Sequence, residues 1–333
     1  MIKRGVFIII VNIFCLQLSA QVYNPYLKLE WNDSTDYNLY YGDLSYTDSF
    51  DIDINLDEDS YDTNDLARQA FINDFIKEYN ALPEDKQNIF FYIHGFGAHK
   101  SSYLKRNNTS IQKHILNLPD SDIGAYMSLS WSAGYVYTRT ILRAVDLGKY
   151  YGALMSDIIN EAKKINPDTR VNLMTHSMGN RVFVGVFDVL KKNYKNAIID
   201  IHIMAAPDVE TDIFAEGQPL ADIEDVSKSV TIYRHNKDLI LSFSSKLSGD
   251  TRLGLDGISE RCLEDCQNIK VVDCSLFNDV DRFDFGNHNY YYQSPTVRKD
   301  IYNILFDQSD ELKQTRKELK HERRLVLKFP ALD

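Results

Sequence analysis

A chain of 333 residues, 44% of them hydrophobic, has the material for one large core, and no repeat or low-complexity linker divides it. Its formal net charge of −11 argues against binding nucleic acid or an anionic membrane through bulk electrostatics.

The chain opens with Lys3 and Arg4, then an almost wholly apolar run from Gly5 to Leu18, with Ser19-Ala20 before Gln21. A charged start, an apolar stretch short for a membrane span and a small closing residue predict an export leader, residues 1–20, cleaved after Ala20. The alternative is an uncleaved anchor. Cys15 is a poor lipidation site because bulky Phe14 precedes it. No later segment is apolar and long enough to span a bilayer. The expected location is therefore periplasmic or secreted, with no stable membrane insertion after cleavage.

Residues 21–84 read as an acidic, tyrosine-rich extension with edge strands and a helix. Phe50, Ile52, Ile54 and Leu56 alternate with polar residues, a half-buried strand pattern. The interleaved Asp51, Asp53, Asn55, Asp57 and Asp59 resemble a calcium loop superficially. Leu56 stands where such a loop needs Gly and Asp62 where it needs Glu, so no metal is expected. Asp65 to Asn80 is an amphipathic helical pattern stopped by Pro83.

Residues 85–307 read as an α/β core. Asn88 to Ile93 is an apolar strand buried on both faces, as in a parallel sheet, and it ends at His94-Gly95-Phe96-Gly97. A helix over Ser101–Asn117, a strand over Gly124–Trp131 and a long helix over Thr138–Ile165 follow. Next comes Val171-Asn172-Leu173-Met174-Thr175-His176-Ser177-Met178-Gly179-Asn180-Arg181, then the apolar run from Val182 to Phe187. Strand, tight turn, Ser and buried helix are the parts of a hydrolase nucleophile elbow, in which the turn lifts the serine hydroxyl above the sheet. Thr175 takes the position usually held by the first Gly of G-x-S-x-G.

Such an elbow needs backbone N–H groups for a developing oxyanion, one from the residue after the nucleophile and one from the loop after an earlier strand. Met178 and Phe96 hold those positions. It also needs an acid and then a His downstream. Ile199 to Ala206 is a strand leading to Pro207-Asp208, Val230 to Tyr233 leads to His235-Asn236-Lys237-Asp238, and Ile269 to Val272 precedes a polar loop with Gly286-Asn287-His288. His288 is the candidate base and Asp238 the candidate acid. Asp208 is the alternative acid, one strand early for the usual position. His94, His99, His114, His176, His202, His235 and His321 are weaker candidates, and no His, Cys or carboxylate cluster has metal spacing. Export makes a disulfide possible among Cys262, Cys266 and Cys274, with the pairing open.

Ser294 to Phe306 reads as a closing helix. Residues 308–333 read as a charged tail of helical pattern, with seven Lys or Arg between Lys313 and Lys328 as a solvated face.

These motifs together resemble the bacterial esterase/lipase-like α/β-hydrolase family of uncharacterised function, whose elbow typically reads A-H-S-M-G-N-R. The matching residues are His176 to Arg181, His94-Gly95-Phe96, Ser130-Trp131, Ala205 to Asp208, Tyr233 with Asn236 and Asp238, Arg252-Leu253-Gly254 and the late Gly286-x-His288. The chain departs from the family at Thr175 and at Ser132, where Pro is frequent. The resemblance implies an α/β-hydrolase fold, a mostly parallel sheet with helices on both faces, and Ser177, Asp238 and His288 as a triad. The expected function is an exported serine hydrolase that cleaves carboxylic esters through an acyl-enzyme, with a small-molecule ester as partner and no cofactor. An amidase or thioesterase would use the same mechanism. A non-catalytic binding or surface protein that reuses the fold is the reading from another class. The segment from Pro207 to Lys228 is acidic, and its Ile213, Phe214, Leu220 and Ile223 look like packing for one short helix rather than an apolar lid. Dispersed short-acyl neutral esters, hydrolysed without interfacial activation, are the expected substrates.

Overall fold

Every residue is buried in Ile89–Ile93, which is wholly apolar, and in Val171–His176, which includes the polar Asn172, Thr175 and His176, as in strands at the middle of a two-sided layer. The structure is a computed structural model that describes residues 25–31, 37–43, 54–56, 66–96, 110–116, 121–131, 137–262, 268–276, 279, 286–308, 311–312, 316–319 and 324–327. The predicted leader 1–20, the alternation at Phe50 and Ile52, Gly97, His99, Ser132, Cys266 and His321 lie outside the described residues.

The strands are β1 (Pro25–Trp31), β2 (Tyr37–Asp43), β3 (Ile54–Leu56), β4 (Ile89–Ile93), β5 (Ala125–Trp131), β6 (Val171–His176), β7 (Ile199–Ala205), β8 (Ser227–Arg234), β9 (Ile269–Asp273), β10 (Arg316–Leu319) and β11 (Arg324–Leu327). The helices are α1 (Leu66–Asn80), α2 (Tyr137–Ile165), α3 (Gly179–Asn193), α4 (Leu239–Ser248), α5 (Leu253–Asp256), α6 (Tyr290–Gln293) and α7 (Pro295–Leu305). Among the described residues the strands form one sheet in the order β10-β11-β9-β8-β7-β6-β4-β5-β1-β2-β3. From β9 to β5 its six central strands are all parallel. This is an alpha/beta-hydrolase fold.

Alternation along the strands divides the core. Phe91, Ile93 and Leu173 pack with α1, α2 and α3 on one face. Phe90, Tyr92 and Met174 pack with α7 and the π-helical turn Gln112–Leu116 on the other. Residues 110–116, helical at Ser110 and Ile111 and then this turn, are the described part of the helix expected over Ser101–Asn117. The chain order reverses at β4, which has β5 on one side and β6 on the other. The carboxyl ends of β4 and β6 therefore lie at a topological switch point, the place where ligands bind in open α/β sheets.

Two expectations are corrected and a third is narrowed. The tail is not a solvated helix throughout. β11 pairs parallel with β9, β10 pairs antiparallel with β11, and Arg316 binds the buried Asp300 at 2.6 and 2.8 Å. The open edge of β9 supplies unpaired backbone groups that a charge pattern does not reveal. The segment from Pro207 to Lys228 holds turns and a 3₁₀ turn at Ile223–Asp225 instead of one short helix. Gly217, with φ 78°, and Pro219 break any helical run there. Its four apolar residues are nevertheless buried, as expected. Cys262 and Cys274 are both buried and free, so they form no disulfide with each other.

The two long helices on one face touch through glycine. A Cβ at Gly185 would stand 1.9 Å from the carbonyl oxygen of Val145, and one at Gly148 equally 1.9 Å from that of Val182. The obstacle is backbone on both sides, so a side chain is accommodated only by separating α2 from α3. Gly185→Ala is therefore expected to lower the unfolding free energy by about 1–3 kcal/mol or more. Urea unfolding checks this, and a loss below about 0.5 kcal/mol would show that the helices part freely.

Candidate active site

β6 ends at His176 and α3 begins at Gly179, so Ser177 and Met178 alone turn the chain from strand into helix. Ser177 has φ 53°, in the left-handed region that residues with a Cβ rarely adopt. Its surroundings hold it there. Its N–H donates to the Ala205 carbonyl at 3.0 Å. Its carbonyl accepts from the Asn180 N–H at 3.1 Å, the Asp208 N–H at 3.1 Å and Asn180 Nδ2 at 2.9 Å. Strain of this kind persists only where the surrounding structure over-determines it.

Thr175, the departure from the usual motif, belongs to this support. Its hydroxyl donates to Asn180 Oδ1 at 2.6 Å, and His202 Nε2 lies 3.0 Å from the Thr175 hydroxyl oxygen. With the hydroxyl proton directed at Asn180, His202 is the donor. Burial pushes the His202 pKa down to about 3, so the ring stays neutral. The polar line runs from His202 through Thr175 and Asn180 to the carbonyl of Ser177.

The loop after β4 lies against this turn. A Cβ on Gly95 would sit 2.6 Å from Ser177 Cβ, and one on Gly179 would sit 2.5 Å from the Ile93 carbonyl oxygen. Only glycine permits both approaches. His94 secures the loop: its Nδ1 donates to the Gly95 carbonyl at 2.7 Å and its Nε2 accepts the Trp131 N–H at 3.0 Å. Trp131 Nε1 in turn donates to the His94 carbonyl at 2.8 Å. Phe96 follows in this loop, with its ring edge-on to Tyr137. Met178 is buried at the N-terminus of α3, and its N–H has no backbone acceptor among the described residues.

Beyond β8 and β9 the structure brings Asp238 and His288 together, His288 Nδ1 lying 2.7 Å from Asp238 Oδ2. The other oxygen, Oδ1, accepts the Leu241 N–H at 2.9 Å and caps α4. The carboxylate is fully buried, so each oxygen needs such a donor. The His288 loop is tied down on both sides: Leu239 N–H donates to the Gly286 carbonyl at 2.8 Å, and Asn287 Nδ2 to the Lys237 carbonyl at 3.2 Å. Ring centroids of His288 and His176, the neighbour of Ser177, are 4.8 Å apart. Burial, and then the neighbouring His288, hold the His176 pKa well below the ordinary imidazole range. His176 is thus neutral and donates from Nε2 to the His288 carbonyl at 3.3 Å.

Asp208 is engaged elsewhere. It accepts from Tyr137 and Ser244 hydroxyls, each at 2.6 Å, and faces Arg252 Nε at 3.1 Å. Arg252 is fully buried and also binds Glu210 at 3.0 Å, which Arg181 meets at 2.9 Å. Burial raises the Glu210 pKa, but Arg181 and Arg252 outweigh it and hold the carboxyl below its ordinary value. Two guanidinium groups and two carboxylates form a mutually paired cluster behind the nucleophile turn. Sequence reasoning missed the parts played by Tyr137, Ser244, Glu210 and Arg181. The available signal was Arg252-Leu253-Gly254: a Cβ on Gly254 would lie 2.5 Å from the Ala206 carbonyl carbon, so this segment packs directly on the chain leading to Asp208. Among the described residues, no group of three His, Cys, Asp or Glu side chains is arranged to hold a metal ion.

A family model described as alpha/beta hydrolase of unknown function (DUF900) matches residues 67–306. No curated protein matches the sequence. Among solved structures, a novel cutinase-like protein from Cryptococcus sp. is similar at 11% identity and a TM-score of 0.29, over 67% of this chain and 94% of that one. Phospholipase PlaB from Legionella pneumophila is similar at 14% identity and a TM-score of 0.30, over 69% of this chain and 66% of that one.

Replacing Thr175 by Val keeps the shape and removes the hydroxyl, leaving the Asn180 amide oxygen and the His202 N–H unpaired in the core. The expected cost is about 1–3 kcal/mol of unfolding free energy. Urea unfolding of Thr175→Val measures it, and a neutral substitution would show that Thr175 does not brace the turn.

Proposed function

The chain belongs to this alpha/beta hydrolase family of unknown function, and from that membership we propose that it is an exported serine hydrolase acting on carboxylic esters, with Ser177 as nucleophile, His288 as base and Asp238 as orienting acid. The observation that carries this reading is the 2.7 Å contact between His288 Nδ1 and Asp238, on a loop packed against the turn that holds Ser177 at φ 53°. With Nδ1 directed at Asp238, Nε2 is the nitrogen left to take the serine proton.

Attack of Ser177 Oγ on the ester carbonyl forms a tetrahedral oxyanion, toward which the N–H groups of Phe96 and Met178 donate. The oxyanion collapses, the alcohol leaves with the proton from His288, and an acyl-enzyme remains. Water, deprotonated by His288, attacks the acyl carbonyl and releases the acid with return of the proton to Ser177. Asp238 holds the imidazole in the productive tautomer and stabilises its charged form. Asp208 supports the turn from behind, through its N–H on the Ser177 carbonyl.

A serine-directed phosphonate tests the assignment. Wild-type protein is expected to label and Ser177→Ala to remain unlabelled. Asp238→Asn is expected to lower ester turnover on the order of 10⁴-fold through the wrong tautomer. Asp208→Asn is expected to act mainly on stability, because it unbalances a buried ion cluster. Equal labelling of wild type and Ser177→Ala, or a larger turnover loss from Asp208→Asn in folded protein, overturns the triad.

Export is part of the same proposal, and it rests on the charged start, apolar run and Ser19-Ala20 before Gln21. Among the described residues no helix is long and apolar enough to cross a membrane. Mass spectrometry of protein from an exporting host is expected to find a chain beginning at Gln21. A chain that keeps Met1, or one beginning at Cys15, refutes the cleavage.

A further inference from the structure

Helix α4 reads Leu-Ile-Leu-Ser-Phe-Ser-Ser-Lys-Leu-Ser. Leu241 and Ser244 face inward and are buried. The opposite side exposes Leu239 by 59%, Ile240 by 41%, Phe243 by 62% and Leu247 by 48%. Leu239, Phe243 and Leu247 are spaced by four, and Ile240 lies three before Phe243, so the four share one continuous helical stripe. A contiguous apolar face of this kind on a soluble domain marks a contact surface.

Its position joins it to the site. α4 starts at Asp238, whose carboxylate binds His288. The inward Ser244 hydroxyl bonds Tyr137, whose ring meets Phe96. Phe96 is itself 38% exposed, so apolar surface lies both on the β4 loop and on the helix capped by the proposed acid.

Resting on the esterase reading, we propose that the outer face of α4 docks the enzyme onto a net-uncharged lipid surface, from which the ester substrate is drawn. Shape favours this occupant. The four side chains project from a convex helix, whereas a single acyl chain in water requires enclosing walls. An amphipathic helix lying in an interface buries such a face into the acyl boundary.

Charge favours it as well. Lys246 is the one charged side chain within α4, and Lys237 lies just before it, both exposed. The acid between them, Asp238, is buried and bonded. Lysine stems can lie along the apolar boundary while their ammonium groups meet phosphate or carbonyl oxygens. Against this local cationic rim, the whole chain carries −11, which opposes an anionic surface at longer range. A zwitterionic surface satisfies both. Pairing with a second copy through this face would bring two lysine rims together. The inference replaces the expectation of dispersed esters without interfacial activation: the segment from Pro207 to Lys228 does bury its apolar residues, and the apolar face stands on the element after β8.

The test uses the full chain, phosphatidylcholine vesicles and flotation, comparing wild type with the double variant Phe243→Ser/Leu247→Ser. Both proteins share one N-terminus, so an uncleaved leader would bind both alike. Wild type is expected to float with the vesicles, and the variant to bind at least about tenfold more weakly at an unchanged melting temperature. Admixing phosphatidylglycerol is expected to weaken wild-type binding. Wild-type hydrolysis of a short-chain ester amphiphile is expected to jump above its micelle threshold, and that jump is expected to be lost in the variant. Equal binding by both proteins, or none by wild type, overturns the proposal. So does a wild-type dimer that the double substitution dissociates, which would make the face a self-interface. Vesicle binding needs no chemistry, so binding lost in the variant together with absent phosphonate labelling would keep the docking face and overturn the esterase reading.

Discussion

The left-handed turn at Ser177 is the constraint on which the rest of the site depends. A buried parallel strand must become a buried helix within two residues, and its end must stay close to the neighbouring strand's loop. Glycine at 95 and 179 permits the approach, since any Cβ there would meet Ser177 or the backbone of β4. Three donors on the Ser177 carbonyl then hold a conformation that an L residue otherwise avoids. The same geometry leaves the Met178 amide at the head of α3, where the helix dipole favours negative charge.

Two buried acids near this turn have separate physical tasks. Asp208 sits in an ion cluster with Arg252, extended by Glu210 and Arg181, and its side chain is committed to Tyr137 and Ser244. Such a cluster is tolerable in a low-dielectric interior only because positive and negative groups balance and their hydrogen bonds are met. Asp238 instead has one oxygen on the first turn of α4 and the other on a histidine. The helix cap fixes the direction of the second oxygen, so the position of His288 follows from where α4 begins. The helix that orients this acid also carries the exposed apolar stripe, which couples the placement of the chemistry to the surface the molecule turns outward.

Much of the fold was legible because burial writes itself into parallel strands. The continuous apolar run at Ile89–Ile93, a serine between strand and apolar helix start, and the long helical pattern over α2 all carry local signals. The order of serine, acid and histidine also restricts which loops can meet, since each group follows a different parallel strand and all those loops emerge on one side of the sheet. Thr175 read in isolation as a departure from the usual motif. Its purpose is visible only with His202 and Asn180 around it.

The amino-acid sequence by itself determined the layered α/β architecture, the strained serine turn and the short menu of acids and histidines, because these follow from periodicity, chain order and residue chemistry along contiguous stretches. Tertiary structure alone decided the rest. Which acid meets His288 depends on the start of α4 against the loop at Gly286. Whether the tail becomes helix or strand depends on the open edge of β9, which pairs β11. Whether apolar residues are core or surface depends on what lies opposite: Ile213, Phe214, Leu220 and Ile223 fold inward from an irregular segment, while Leu239, Ile240, Phe243 and Leu247 stand on the outer side of a helix whose inner side is already packed. Sequence sets how strongly a residue avoids water, but only its neighbours across the fold settle whether it escapes.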